Sequence, residues 1–199
     1  MKKIVIAIVI IFLISILLYL SGYRLDGLSA ARANSFISKD SVLLDEVEYS
    51  WGKVFIFNSP EKPVTAISSK SFGFLWVSRM SVYYYPNKDL IKTIGGVSYV
   101  SDQNKATTVI SVWSSDPKIS YIEIGPEGNR IRKEAILNSP ITFSWDKSFQ
   151  WNDLKPQAFN KDGKVIYEYR YAKSNFIKHE DLKWYPVLQD EDQEKSISN

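Results

Sequence analysis

The sequence predicts an α+β protein that is mainly β. It should have an N-terminal transmembrane helix, then a short helix packed on an antiparallel meander, then a small β-sandwich-like part. Three observations predict this. An apolar run opens the chain behind two lysines. One alanine-rich stretch behind a serine follows it. After that, β-branched and aromatic runs alternate with turn residues, and no long helical period returns.

Residues 4–20 are apolar except for Ser15 and Tyr19, and Met1-Lys2-Lys3 leads them. With Ser21, Gly22 and Tyr23 the helix reaches about 30 Å, the thickness of a bilayer core. In lipid its backbone satisfies itself as helix and its side chains match their solvent. An anchor over residues 1–23 is the expectation, and a cleaved signal peptide competes with it. A signal peptide has an apolar core of about 7–15 residues with a small-x-small site close behind. Ala31-Arg32-Ala33 fits that site but lies further downstream. Lys2 and Lys3 favour an N-terminus inside and a body outside, although Arg24 and Arg32 follow the span.

Residues 29–38 read as the short helix, with Ser29 as cap and Ala30, Ala31 and Ala33 as strong formers. Residues 42–49 and 53–58 flank Ser50-Trp51-Gly52 as a hairpin. Val54, Phe55, Ile56 and Phe57 run without a break, so both faces of that strand should be covered. Residues 64–69 and 72–82 follow as strands, with Phe72, Phe74, Trp76, Met80 and Val82 expected on one face. A strand at 94–100 precedes Ser101-Asp102-Gln103-Asn104-Lys105, the expected boundary. Beyond it, strands at 107–113, 119–124, 130–137, 141–145 and 165–172 suggest the sandwich, and 179–185 a helical turn before Pro186. The organisation is thus an anchor at 1–23, helix plus sheet at 24–104, the sandwich-like domain at 105–188 and a disordered acidic tail at 189–199.

Composition removes several chemistries. The chain has no cysteine, so disulfides, thiolate metal sites and thiol catalysis are out. Its net charge is +3, of which Lys2 and Lys3 supply two, so the body is close to neutral. Nucleic-acid binding usually needs a concentrated basic face, and none is expected. His179, the single histidine, lies among charges in Lys178-His179-Glu180-Asp181. It excludes a site built on several imidazoles. No Gly-x-Ser-x-Gly elbow occurs. No cofactor, metal or catalytic residue is assigned.

Two loops resemble ligand loops at first sight. Gly125-Pro126-Glu127-Gly128-Asn129-Arg130 sits between two strand-like runs. A phosphate cradle would open onto a helix N-terminus, so a hairpin turn with a solvated basic edge is expected. Asn160-Lys161-Asp162-Gly163-Lys164 lacks the regular acidic ligands of a calcium loop, and Asp-Gly between strands signals a turn. Asp45, Glu46 and Glu48 read as surface. The aromatics Trp76, Trp113, Trp145, Tyr167 and Tyr169 are expected in the core. The candidate interaction surface is then Arg130, Arg132 and Lys133, for an anionic polymer or lipid head groups, with Tyr83, Tyr85 and Trp184 as partly exposed aromatics.

The chain resembles the small single-pass or secreted envelope proteins of Bacillus-type Firmicutes. The resemblance lies in the Lys-Lys apolar leader, Val54-Phe55-Ile56-Phe57, Gly73-Phe74-Leu75-Trp76 and Val109-Ile110-Ser111. It continues through Ile119-Ser120-Tyr121-Ile122-Glu123-Ile124 and Asp162-Gly163-Lys164-Val165-Ile166-Tyr167. It implies location and architecture and carries no ligand residues. The expectation is a membrane-anchored extracytoplasmic binding or accessory module of the cell envelope. Its partner would be an envelope protein or an anionic wall polymer. The alternative is a hydrolase acting on wall glycan through Asp and Glu carboxylates.

Overall fold

A computed structural model describes residues 2–102, 105–176 and 178–187, and the chain divides into two units, 1–83 and 84–199. The expected acidic tail lies outside the described residues.

The first unit opens with α1, Lys2–Leu20, none of whose residues is buried. Ser15 Oγ donates back to Ile11 O at 2.9 Å, so that hydroxyl is satisfied within the helix. Among the described residues this is one helix long and apolar enough to cross a membrane; a signal sequence passes the same measure. The short helix α2, Gly27–Arg32, starts earlier than the alanines suggest. Asp26, rather than Ser29, is the cap: it is extended, and its Oδ1 accepts from Ser29 N at 2.8 Å.

Strands β1 (Val42–Tyr49), β2 (Gly52–Asn58), β3 (Val64–Ser71) and β4 (Leu75–Tyr83) form the expected antiparallel meander in sequence order. α2 lies on it, and Ala31 and Ile37 share a core with Phe55, Phe57, Val64 and Ala66. Val54, Phe55, Ile56 and Phe57 are all fully buried, so that strand is covered on both faces. The fourth strand starts later than its apolar pattern suggests. Phe72 and Gly73 have φ of 50° and 81° and make the β3–β4 turn, which leaves Phe72 and Phe74 exposed instead of on the Trp76 face.

The second unit holds β5 (Ile91–Asp102), β6 (Lys105–Ser114), β7 (Tyr121–Ile124), β8 (Ile131–Glu134), β9 (Pro140–Trp145), α3 (Trp151–Leu154), β10 (Gln157–Phe159), β11 (Val165–Arg170) and β12 (Lys183–Pro186). They form a three-stranded sheet, β5-β6-β9, and a five-stranded sheet, β12-β11-β10-β7-β8. Ile110, Val112, Ile141 and Phe143 from the first meet Ile122, Ile124, Ala158 and Trp184 from the second in one core. That is a sandwich, and it includes three strands, β5, β10 and β12, that the sequence does not place in it. β5 pairs with β6 from Ile91–Ser114 to Asp102–Lys105, so both strands lie in one unit, and the division falls at Tyr83/Tyr84. The helical turn before Pro186 is only His179–Asp181; Lys183–Pro186 is a strand because it pairs with β11.

Both loops that resembled ligand loops are turns. Gly125 has φ 130° and Gly128 φ 78°, and Asn129 N donates to Pro126 O at 2.9 Å between the paired β7 and β8. Asn160 Oδ1 accepts from the N–H groups of Asp162 (3.0 Å) and Lys164 (2.9 Å), closing the β10–β11 turn.

Candidate functional site

The five-stranded sheet has an inner face in the core and an outer face of polar side chains. Register builds the outer row: Arg132 faces Glu123, Glu123 faces Gln157, Gln157 faces Glu168, and Glu168 faces Tyr185. Side chains directly opposite one another share a face, so these five belong together.

Arg130 ties one end of this row. Its guanidinium donates to the carbonyls of Gly125 (3.3 Å), Lys155 (3.3 Å) and Glu123 (3.2 Å) and to Gln157 Oε1 (3.4 Å). Its Nε also lies 3.5 Å from Glu123 Oε2. Gln157 Nε2 passes the chain on to Glu168 Oε1 at 3.2 Å, and Glu168 Oε2 lies 3.9 Å from Arg170 Nε. The Arg170 guanidinium sits 4.6 Å above the Tyr185 ring.

Next to this row opens a cleft of about 360 Å³. Trp151, Asn152, Lys155, Glu168, Arg170 and Tyr171 are among the residues that line it. Lys155 is the C-cap of α3 in the left-handed region (φ 40°, ψ 61°), directly before Pro156. Proline disfavours a helical conformation in the residue before it, so this backbone is strained. Such strain persists where surrounding bonds fix it, and Arg130 holds the Lys155 carbonyl. Trp151 is held by the Tyr84 ring, edge-on at 6.5 Å. Gly96 makes the room for this pair, since a Cβ there would lie 2.8 Å from Tyr84 Oη and 2.7 Å from Val109 O. The cleft therefore offers an aromatic face, amides, an acid and two cations to one ligand. Those groups suit a hydroxyl-rich or mixed-charge molecule.

A wider hollow of about 850 Å³ lies elsewhere on this unit, bounded by Asp116, Lys118, Asp162 and Tyr167. Asp116 is buried, with Oδ1 accepting from Lys118 N (2.9 Å) and Oδ2 from Tyr167 Oη (2.8 Å). Burial, then the bond to Asp116, pushes the Tyr167 hydroxyl up to about 12. Among the described residues, no group of three or more His, Asp or Glu side chains is placed to hold a metal ion.

The six candidate surface residues do not come together as one patch. Arg132 and Lys133 are adjacent on β8 and so point to opposite faces. Arg132 lies 3.4 Å over the Tyr121 ring on the outer face, while Lys133 donates to Thr142 O at 2.6 Å. Arg130 is bonded as described. Tyr83 and Tyr85 are exposed, and Lys62 Nζ stands 3.8 Å over the Tyr83 ring. Trp184 is a correction: it is 3% exposed, and its Nε1 donates to Thr93 Oγ1 at 3.1 Å in the core. Strand pairing of β12 turned it inward. Of the expected core aromatics, Trp145 is buried, and Trp76, Trp113, Tyr167 and Tyr169 are half-buried. Trp151, Asn152 and Gln157 were missed. The one signal for them was Lys155-Pro156, which ends any helix begun at Trp151.

No family model matches this chain, and no curated protein and no solved structure is similar to it.

Proposed function

We propose that the chain is a single-pass membrane protein whose β-rich body stands outside the cytoplasm as a non-enzymatic binding module of the cell envelope. The carrying observation is α1: a helix of 19 residues with none of them buried. So large an unpartnered apolar surface needs a lipid solvent. Lys2 and Lys3 at its start favour the orientation with the body outside. The ligand site is the cleft at Trp151, Lys155, Glu168, Arg170 and Tyr171. Its ligand is a segment of envelope polymer that carries hydroxyls and charge. A binding role fits the cleft better than hydrolysis of glycan, because among the described residues Glu168 is the single carboxylate in its lining, and it is already bonded to Gln157. A glycosidase sets two carboxyl groups across the scissile bond.

The chain has no cysteine, so one introduced at the exposed Asp162 reports orientation without background. Asp162→Cys should react with a membrane-impermeant maleimide in intact cells. Labelling only after lysis would overturn the orientation. Full-length protein in detergent micelles should be retained on isolated cell envelope, and Tyr171→Ala with Arg170→Ala should reduce retention about tenfold, or about 1.4 kcal/mol. Wild-type protein that ignores the envelope would remove the binding role.

A further inference from the structure

We propose that the β3–β4 turn, Phe72-Gly73-Phe74, is a second membrane contact that seats the first unit on the bilayer interface beside the anchor. This inference rests on α1 being the membrane anchor.

Depth comes first. At 1.5 Å per residue, α1 spans about 28 Å, close to the hydrocarbon thickness of a bilayer. Its last turns, Ser15 to Leu20, are then at the outer border of the lipid core. Phe74 lies at that level: with Leu18, Tyr19 and Leu25 it lines a mostly apolar hollow of about 520 Å³. The Phe72 ring lies 6.1 Å from that of Tyr23, just past the end of α1.

The turn is also fixed at that level. Arg24 and Trp76 exchange two backbone hydrogen bonds, each 2.8 Å, so the chain leaving α1 forms a bridge to the start of β4. The Arg24 guanidinium donates to Tyr19 O and Tyr23 O at 2.7 Å each and sits 3.9 Å over the Tyr19 ring. Whatever depth α1 adopts, the turn adopts with it.

Folding does not explain the side chains of this turn. Phe72 and Phe74 are 73% and 66% exposed. Phe72 holds φ 50°, a conformation that favours asparagine or glycine over a bulky aromatic. Two phenylalanines at such a tip cost solubility in water and gain burial in lipid. Lys70 and Arg79, both exposed, flank the turn over the Trp76 (5.3 Å) and Tyr23 (5.7 Å) rings. An aromatic group beside cations matches the chemistry of an anionic head-group layer.

The test uses full-length protein in vesicles of phosphatidylcholine with a minority of phosphatidylglycerol, some bearing a lipid-attached quencher. Single cysteines carry an environment-sensitive fluorophore at Phe74→Cys, at Phe72→Cys as a second probe, at Phe12→Cys within the helix, and at Glu61→Cys. Glu61 lies in the β2–β3 turn, at the opposite end of the meander. Quencher should reduce emission several-fold at positions 12, 72 and 74 and leave position 61 unchanged. Quenching at 12 with none at 72 or 74 overturns the inference and leaves the anchor standing. No quenching at 12 overturns the anchor itself. Equal quenching at 61 and 74 overturns the inference too, because the contact would not belong to this turn.

Discussion

Asp116 shows how much one side chain depends on its partners. It is buried to 4% exposure, and Tyr167 Oη and Lys118 N occupy its two oxygens. Tyr167→Phe would keep the ring and strip Oδ2 of its donor. The expected loss is about 1–3 kcal/mol of stability, read as a lower urea midpoint with an unchanged slope. Gly125 makes a second case. Its φ of 130° and its close approach to Asn129 O leave no space for a Cβ. Gly125→Ala should cost about 1–3 kcal/mol by the same measurement. The sequence told us Gly125 was a turn because glycine and proline punctuate chains for local reasons. It gave no warning that Trp184 is buried or that Arg130 reaches the Lys155 carbonyl and Gln157. Those facts depend on strands distant in sequence, and a residue's neighbours across a sheet are not written beside it.

At the scale of elements, α2 offers the sharpest test. Its cap residue Asp26 accepts from Ser29, and the backbone hydrogen bond from Ser29 lowers its pKa below 3.8. Asp26→Ala should destabilise the first unit by about 1 kcal/mol at neutral pH. A lowered folded pKa means the stabilisation is complete above the unfolded value and lost as pH falls through the folded one. The gap between wild type and Asp26→Asn in urea unfolding should therefore shrink from neutral pH to about pH 3. Most strands were legible because alternation and turn residues act over a few positions. Residues 53–57 and 141–145 lie within strands of the structure for that reason. Four elements resisted, one of them β12, whose residues read as a helical turn until they pair with β11. α2 was displaced because two residues near its start, Asp26 and Ser29, can both cap. β4 starts only at Leu75, although Phe72 and Phe74 mimic strand alternation before it. β10, with three residues, is too short to show a period at all.

For the whole molecule, the second unit concentrates the raised tyrosines. Burial pushes Tyr84 well above its ordinary value of 10.0, and Tyr167 and Tyr169 to about 12. A folded pKa above the unfolded one gives stability that is complete below about 10 and lost as pH rises toward about 12. The second unit should thus unfold at progressively lower urea across that window, followed by circular dichroism. A Tyr167→Phe, Tyr169→Phe variant should show a shallower decline. The N-terminal apolar helix, the meander and the sandwich were readable in outline from hydropathy and strand spacing. The division at Tyr83/Tyr84 was not, because Ser101 to Lys105 carries every mark of a linker, while Asp102 and Lys105 pair across β5 and β6. The cleft was hidden for a related reason: its lining joins side chains from α3, β10 and β11.

The paired hydrogen bonds between Arg24 and Trp76 have a mechanical consequence. They leave no free swivel where the helix meets the meander. A helix longer than the local hydrocarbon leans to fit, and a thicker bilayer lets it stand upright. On the anchoring proposed above, the first unit leans with it, like a signpost on a rigid pole, so the composition of the host lipid would set the angle at which this sheet meets its surroundings.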